Sequence, residues 1–192
     1  MQADGFDKNY VCLCAGVPNK SSGKVELNLK IRDNSDEKVV VTRDKNGKNN
    51  KYSLSLYKVE NTFSFKNKKY SLLNVNIKTG ITHQIRVHTK YLGCPIIGDR
   101  NYGNSVVNSE FYRLGLNRQF LHSKEISFKY SGKKYNLKAN LPSDLTSIIN
   151  LISGRKQKFE KQNVKKTSNN KTFKSSKKPN NKSFKKSKFS KK

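Results

Sequence analysis

Residues 79–102 read TGITHQIRVHTKYLGCPIIGDRNY, and the succession of turn, helix and loop residues in this stretch decides how the rest of the chain is read. Just before it, YSLLNVNI (70–77) sets Leu73, Val75 and Ile77 to one side and Asn74 and Asn76 to the other, the period of a half-buried strand. Lys78, Thr79 and Gly80 then turn the chain. Thr82 is the expected helix cap, since its hydroxyl can accept from a free backbone N–H of a first helical turn. Ile85, His88, Tyr91 and Leu92 recur at helical spacing; Gly93 supplies a residue that tolerates positive φ past a helix end, and Pro95 bars continuation. The expectation is a three-turn helix rising from a strand end. Arg86 lies beside the apolar stripe in its first turn, where a guanidinium can reach an acid or a phosphate. Spacing alone leaves two readings open: a surface ion pair worth under about 1 kcal/mol, or the cationic group of a site.

Upstream, YVCLCA (10–15) is a continuous apolar run bounded by Gly16 and Pro18, as in a strand covered on both faces. KVELNLKI (24–31) alternates with Val25, Leu27, Leu29 and Ile31 inward, and KVVVT (38–42) makes another strand. DKNGKNNK (44–51) is a turn or loop, and residues 52–59 and 62–65 read as two short strands. Downstream, residues 110–116 suggest a helical turn, and residues 120–130 and 134–141 a hairpin about Ser131-Gly132. Pro142 opens a last helix whose Leu145, Ile148, Ile149 and Ile152 close the core before Gly154. Most connections are too short for a crossover helix, so the fold class is α+β: a mainly antiparallel mixed sheet with a few short helices. A sheet cut at its first strand would leave residues 10–15 as an exposed apolar edge and the domain poorly stable.

At 192 residues and 22.0 kDa the chain suits one domain, residues 1–153, with an appendage, residues 154–192. Lys and Arg number 41 against 13 acids, a formal charge of +28 that points to a polyanionic partner. The appendage holds sixteen of the basic residues and one acid, Glu160, with too little apolar surface to offset its ordering entropy, so a disordered Lys-rich tail is expected. Within it Lys165, Lys166, Lys177, Lys178, Lys185 and Lys186 can bind phosphate without reading sequence, while Phe173 and Phe184 can stack on unpaired bases. A purely solubilising tail is the other reading. No apolar run is long enough to span a membrane, and the first residues lack a signal peptide's basic and apolar regions, so a cytoplasmic location is expected. Cys12, Cys14 and Cys94 are expected as buried thiols. A zinc site joining Cys12 and Cys14 to His83 or His88 lacks four ligands at a metal-binding spacing.

TGITHQIRVH followed by GCPIIGDRNYG resembles the signature of the RluA family of RNA pseudouridine synthases, the large-subunit ribosomal RNA type. Lys8-Asn9-Tyr10 is similar to that family's Lys-x-Tyr strand, and LNRQFLH (116–122) to its Leu-Asn-Arg…Leu-His segment, in a synthase C-like style. The order of these segments is the family's, and together they cover most of residues 6–152. Ile81 departs from the pattern, which usually carries Arg there. The resemblance implies the family's catalytic fold and an enzyme that isomerises uridine to pseudouridine in structured RNA, ribosomal first and transfer RNA second, with no metal and no organic cofactor. It implies that Arg86 orients a carboxylate nucleophile, that Tyr10 packs against the target base, and that Ile85, Thr82, His83 and Gln84 contact substrate.

The family's nucleophilic Asp sits in Arg-Leu-Asp-x-x-Thr-Ser-Gly before the Lys-x-Tyr strand, and no Asp of this chain has those surroundings. Asp99, in GDRNYG, is expected to brace backbone N–H groups instead. The chain is therefore expected to be the C-terminal portion of such an enzyme, inactive alone, with a separate chain supplying the N-terminal half as one expected partner. The alternative is a non-catalytic RNA-binding protein or fragment derived from such an enzyme.

Overall fold

The structure, a computed structural model, describes residues 4–32 and 36–154. The tail residues Lys165, Lys166, Phe173, Lys177, Lys178, Phe184, Lys185 and Lys186 lie outside the described residues. Along the chain come β1 (Asp4–Ala15), β2 (Ser22–Ile31), β3 (Val39–Thr42), β4 (Asn50–Phe65) and β5 (Lys68–Ile77). Then follow α1 (Gln84–Tyr91), α2 (Ser105–Arg113), β6 (Leu121–Tyr130), β7 (Lys133–Lys138) and α3 (Ser143–Ile152).

The strands make one seven-stranded sheet in the order β3-β2-β4-β5-β1-β6-β7, antiparallel at every pairing. β1 is interior, not an edge as expected: Tyr10 pairs with Val75 on one side and Ser123 on the other. That is why YVCLCA is apolar without alternation, and Cys12, Leu13 and Cys14 are all fully buried. The true edges are β3 and β7, and β7 carries Lys133, Lys134 and Lys138, charges that discourage pairing with another chain.

The two short strands expected at 52–59 and 62–65 are one strand, β4, interrupted by a bulge between Val59 and Asn61 that leaves Glu60 as the extra residue. Two-residue turns with positive φ, Lys66-Asn67 and Ser131-Gly132, close the β4–β5 and β6–β7 hairpins. The helical turn expected at 110–116 lies earlier, as α2, because the Asn104 side chain accepts from Val107 N–H and starts the helix there. α3 follows Pro142 and buries Leu145, Ile148 and Ile152, with Ile149 half-buried against the same core.

α1 spans about two turns, not three. Its cap position is His83, with φ 56° and ψ 15°, and no side chain caps it, so the cap role expected of Thr82 is not met. Gln84 instead closes the turn that precedes the helix: its Oε1 accepts from Ile81 N–H at 3.1 Å and from the Thr79 hydroxyl at 2.8 Å. The buried face is also rotated from the expected stripe. Val87 packs against Leu29, Val39 and Tyr102 while Tyr91 is 61% exposed, because the helix is covered on its β3 side as well as from below. At its C-terminus the expected glycine stop is present. Gly93 (φ 74°) donates to Lys90 O and Cys94 to Thr89 O, the paired bonds of a Schellman motif.

Candidate active site

The first turn of α1 and the loop after Pro95 meet at Arg86 and Asp99. Arg86 Nε donates to Asp99 Oδ2 at 2.7 Å and Nη2 to Oδ1 at 2.6 Å; Nη2 also donates to Asn101 Oδ1 at 3.2 Å. The Asp99 side chain is fully buried and Arg86 is 11% exposed. Asp99 Oδ1 further accepts from the backbone N–H groups of Asn101 and Tyr102 at 3.1 and 3.0 Å, so it braces its loop as expected and clamps Arg86 as well. Burial pushes the Asp99 carboxyl up, but the Arg86 hydrogen bonds and these N–H groups outweigh it and hold the pKa below the ordinary value. Three of Arg86's five N–H donors are thereby used. The two on Nη1 have no partner among the described residues and remain for a second anion.

Tyr102 supports this arrangement from beneath. Its ring lies 4.6 Å from the guanidinium carbon, a cation–π contact, and its hydroxyl accepts from Val39 N–H at 2.9 Å while meeting His83 Nδ1 at 3.1 Å. Burial and the nearby Arg86 charge push the His83 pKa down, which favours a neutral imidazole there. Sequence reasoning missed Tyr102. The available signal was the Asp-x-x-Tyr spacing of GDRNYG, since an Asp that braces the N–H three residues on holds that residue against whatever its carboxylate grips.

The expected substrate-contacting residues separate. Gln84 is buried and spent: besides its two acceptor contacts, Nε2 donates to Leu54 O at 3.0 Å and Ser55 Oγ at 2.9 Å, leaving nothing for a base. Ile85 belongs to the main core, 5% exposed. Thr82 is exposed on the turn, and His83 is half-buried above Tyr102. Tyr10 is half-buried on the sheet face that α1 covers, opposite Val75, two residues from the β5 end that leads into the 78–83 turn. Lys8, two residues away and so on the same face, directs Nζ toward Gly80. Ile81, the departure from the resembled pattern's usual Arg, is half-buried against the Leu29, Val39 and Tyr102 cluster, an apolar use of the position.

Beside Arg86 a groove of about 430 Å³ opens between the 98–101 turn and the loop at 117–121, with Arg100, Asn117 and Arg118 along its walls. Gly98 allows this approach: at φ 77°, a Cβ there would stand 2.3 Å from Arg118 O. Cys12, Cys14 and Cys94 are buried free thiols. Among the described residues no group of three or more His, Cys, Asp or Glu could hold a metal ion, and no helix is long and apolar enough to cross a membrane.

An arginine–carboxylate pair held between a helix and a loop over one antiparallel sheet marks an α+β protein with a cationic cleft, and comparison with known proteins says what it resembles. Residues 1–91 match the family model described as RNA pseudouridylate synthase. An uncharacterized RNA pseudouridine synthase of Mycobacterium bovis is 33% identical over 150 residues, 77% of this chain and 45% of that protein. A ribosomal large subunit pseudouridine synthase C of Rickettsia bellii is 36% identical over 139 residues, 71% of this chain and 42% of that one. The human RNA Pseudouridylate Synthase Domain Containing 4 structure shares the fold, with a TM-score of 0.57 at 24% identity over 77% of this chain and 62% of its own. Over these stretches the chain is similar to the RluA-type RNA pseudouridine synthases, and it spans about half the length of the curated relatives it matches.

Proposed function

We propose that this chain supplies the arginine side of an active site that isomerises uridine to pseudouridine in structured RNA. The observation that carries the reading is the unoccupied Nη1 edge of Arg86, held rigid by Asp99 and Asn101 at the margin of an open groove. The fixed two-pronged grip of Asp99 on Nε and Nη2 aims Nη1, whose charged N–H groups can hold a carboxylate in place and keep it ionised. The reaction breaks the N1–C1′ bond of uridine, turns the uracil, joins C5 to C1′, and moves the C5 proton to solvent while N1 regains one. Each step needs an anion held close to the sugar and base.

That anion is a carboxylate from outside the described residues. Asp99 has no free oxygen toward the groove, Asp7 is held by Asn76 and Lys78, and Asp144 by Arg118. Tyr10 contributes an aromatic ring against the base, and Thr82 and His83, on the turn above Arg86, contact the flanking nucleotide. Neither a metal nor an organic cofactor enters this reading. The Rickettsia relatives, ribosomal large subunit pseudouridine synthases by name, favour ribosomal RNA, met in the cytoplasm, and the Lys-rich segment 154–192 adds sequence-independent affinity.

A carbodiimide-based pseudouridine assay on ribosomal RNA tests this. The expected result is no product from the chain alone and product when it is combined with a separately expressed segment bearing Arg-Leu-Asp-x-x-Thr-Ser-Gly, lost on Arg86→Ala. The second reading, a non-catalytic RNA-binding protein, is favoured by the full commitment of Asp99 to Arg86. It is the answer if RNA binds and the combined segments stay silent.

A further inference from the structure

On the far side of the 98–101 turn from Arg86 lies a second groove, about 380 Å³, floored by Leu116 and walled by one face of α2. Asn108, Ser109, Tyr112 and Arg113 form that wall, and Arg100 stands opposite. Among the described residues no acid lines it. Arg100 and Arg113 are both exposed, and neither side chain makes an ion pair or hydrogen bond among the described residues, unlike Arg86 and Arg118. Tyr112 is 63% exposed, an aromatic face turned to solvent in a helix that has buried Val107 and Phe111 instead.

The two grooves share Gly98, Arg100 and Asn117. They are also mechanically one unit. Asn108 Oδ1 accepts from Gly98 N–H at 2.7 Å, and its Nδ2 donates to Asp99 O at 2.7 Å, so α2 is pinned to the residue whose carboxylate orients Arg86. Unpaired guanidinium groups attract phosphate, and an exposed tyrosine next to them offers a stacking surface for an unpaired base. The volume suits one nucleotide unit.

We propose that this second groove holds the single-stranded RNA adjoining the nucleotide at Arg86, with phosphates on Arg100 and Arg113 and a base against Tyr112. The inference rests on the RNA-modifying reading above. Affinity of the full chain for a short oligouridylate, followed by fluorescence anisotropy over a salt series, tests it. Arg100→Ala with Arg113→Ala should lower the slope of log K against log salt by about 1.4, about 0.7 for each phosphate released. Tyr112→Ala should weaken binding about tenfold with the slope unchanged, and Tyr112→Phe should restore it. On the unsubstituted chain, RNA should protect Arg100 and Arg113 from phenylglyoxal while Arg43, exposed on the loop after β3, stays reactive. RNA binding with an unchanged slope and no protection overturns the groove assignment and leaves the RNA reading standing. Failure of the full chain to bind RNA at all removes both.

Discussion

Ser53 and His88 fix one another in a single hydrogen-bonding state between β4 and α1. The Ser53 hydroxyl donates to Leu27 O at 2.8 Å, so its oxygen can only accept from His88 Nε2, also at 2.8 Å. His88 is therefore the neutral Nε2–H tautomer, and its buried Nδ1 has no partner among the described residues.

Burial pushes the His88 pKa down to about 4, from an ordinary value of 6.5. Between those values the unfolded chain binds a proton that the folded chain refuses, so stability is complete above about pH 6.5 and falls as pH drops toward 4. The loss approaches about 3 kcal/mol at most. Asp99, with its lowered pKa, loses its contribution in the same acid direction at lower pH. Urea midpoints measured from pH 7 to 4 should fall, and His88→Gln should flatten the profile. An unchanged profile in that variant would sink this account of His88.

Asp99→Asn should cost about 3 kcal/mol, because it leaves the Arg86 guanidinium largely buried without its counter-charge. Arg86→Lys keeps the charge but loses the fork and the ring contact with Tyr102, and should be nearly as damaging. Chemical denaturation checks both. A cost below about 1 kcal/mol for either would place the pair among ordinary surface bridges.

Tyr70 is fully buried against Phe111, with ring centroids 5.3 Å apart, and its hydroxyl has no hydrogen-bond partner among the described residues. Tyr70→Phe removes a polar group that folding strips of water without compensation, and should stabilise the protein by about 1 kcal/mol. The signature is a higher denaturant midpoint at unchanged m-value.

Gly98→Ala should destabilise by about 3 kcal/mol or more, since positive φ and a 2.3 Å overlap with Arg118 O act together. Gly115→Ala has positive φ (96°) but open space around the new Cβ, and should cost only about 1 kcal/mol. Thermal melts of the two variants separate steric overlap from backbone strain. Equal shifts would show that the overlap relaxes freely.

Strand content was legible because burial writes itself as alternation, as in KVELNLKI, or as an unbroken apolar run when both faces are covered, as in YVCLCA. Arg86 and Asp99 were both visible in the motifs, but not that each is the other's partner, since thirteen residues and a helix end separate them. The Glu60 bulge reads as a strand break because a polar pair interrupts the pattern whether the chain turns or merely kinks. The cap failed for a physical reason: the first helical N–H, that of Gln84, is already taken by Ile81 O at 3.0 Å, and Thr82 is left exposed on the turn.

The interior position of β1 governs the order in which the molecule can assemble. β2, β3, β4 and β5 follow one another with near neighbours to pair with, except that β1 must wait for β5 more than fifty residues later and for β6 more than a hundred later. Closing those two long loops carries the largest chain-entropy cost in the sheet and returns nothing until the strand is seated between both partners. β1 is thus the keystone placed last: the β2–β5 meander has only short loops to close, and the Arg86 cleft acquires its floor when β1 is seated between β5 and β6.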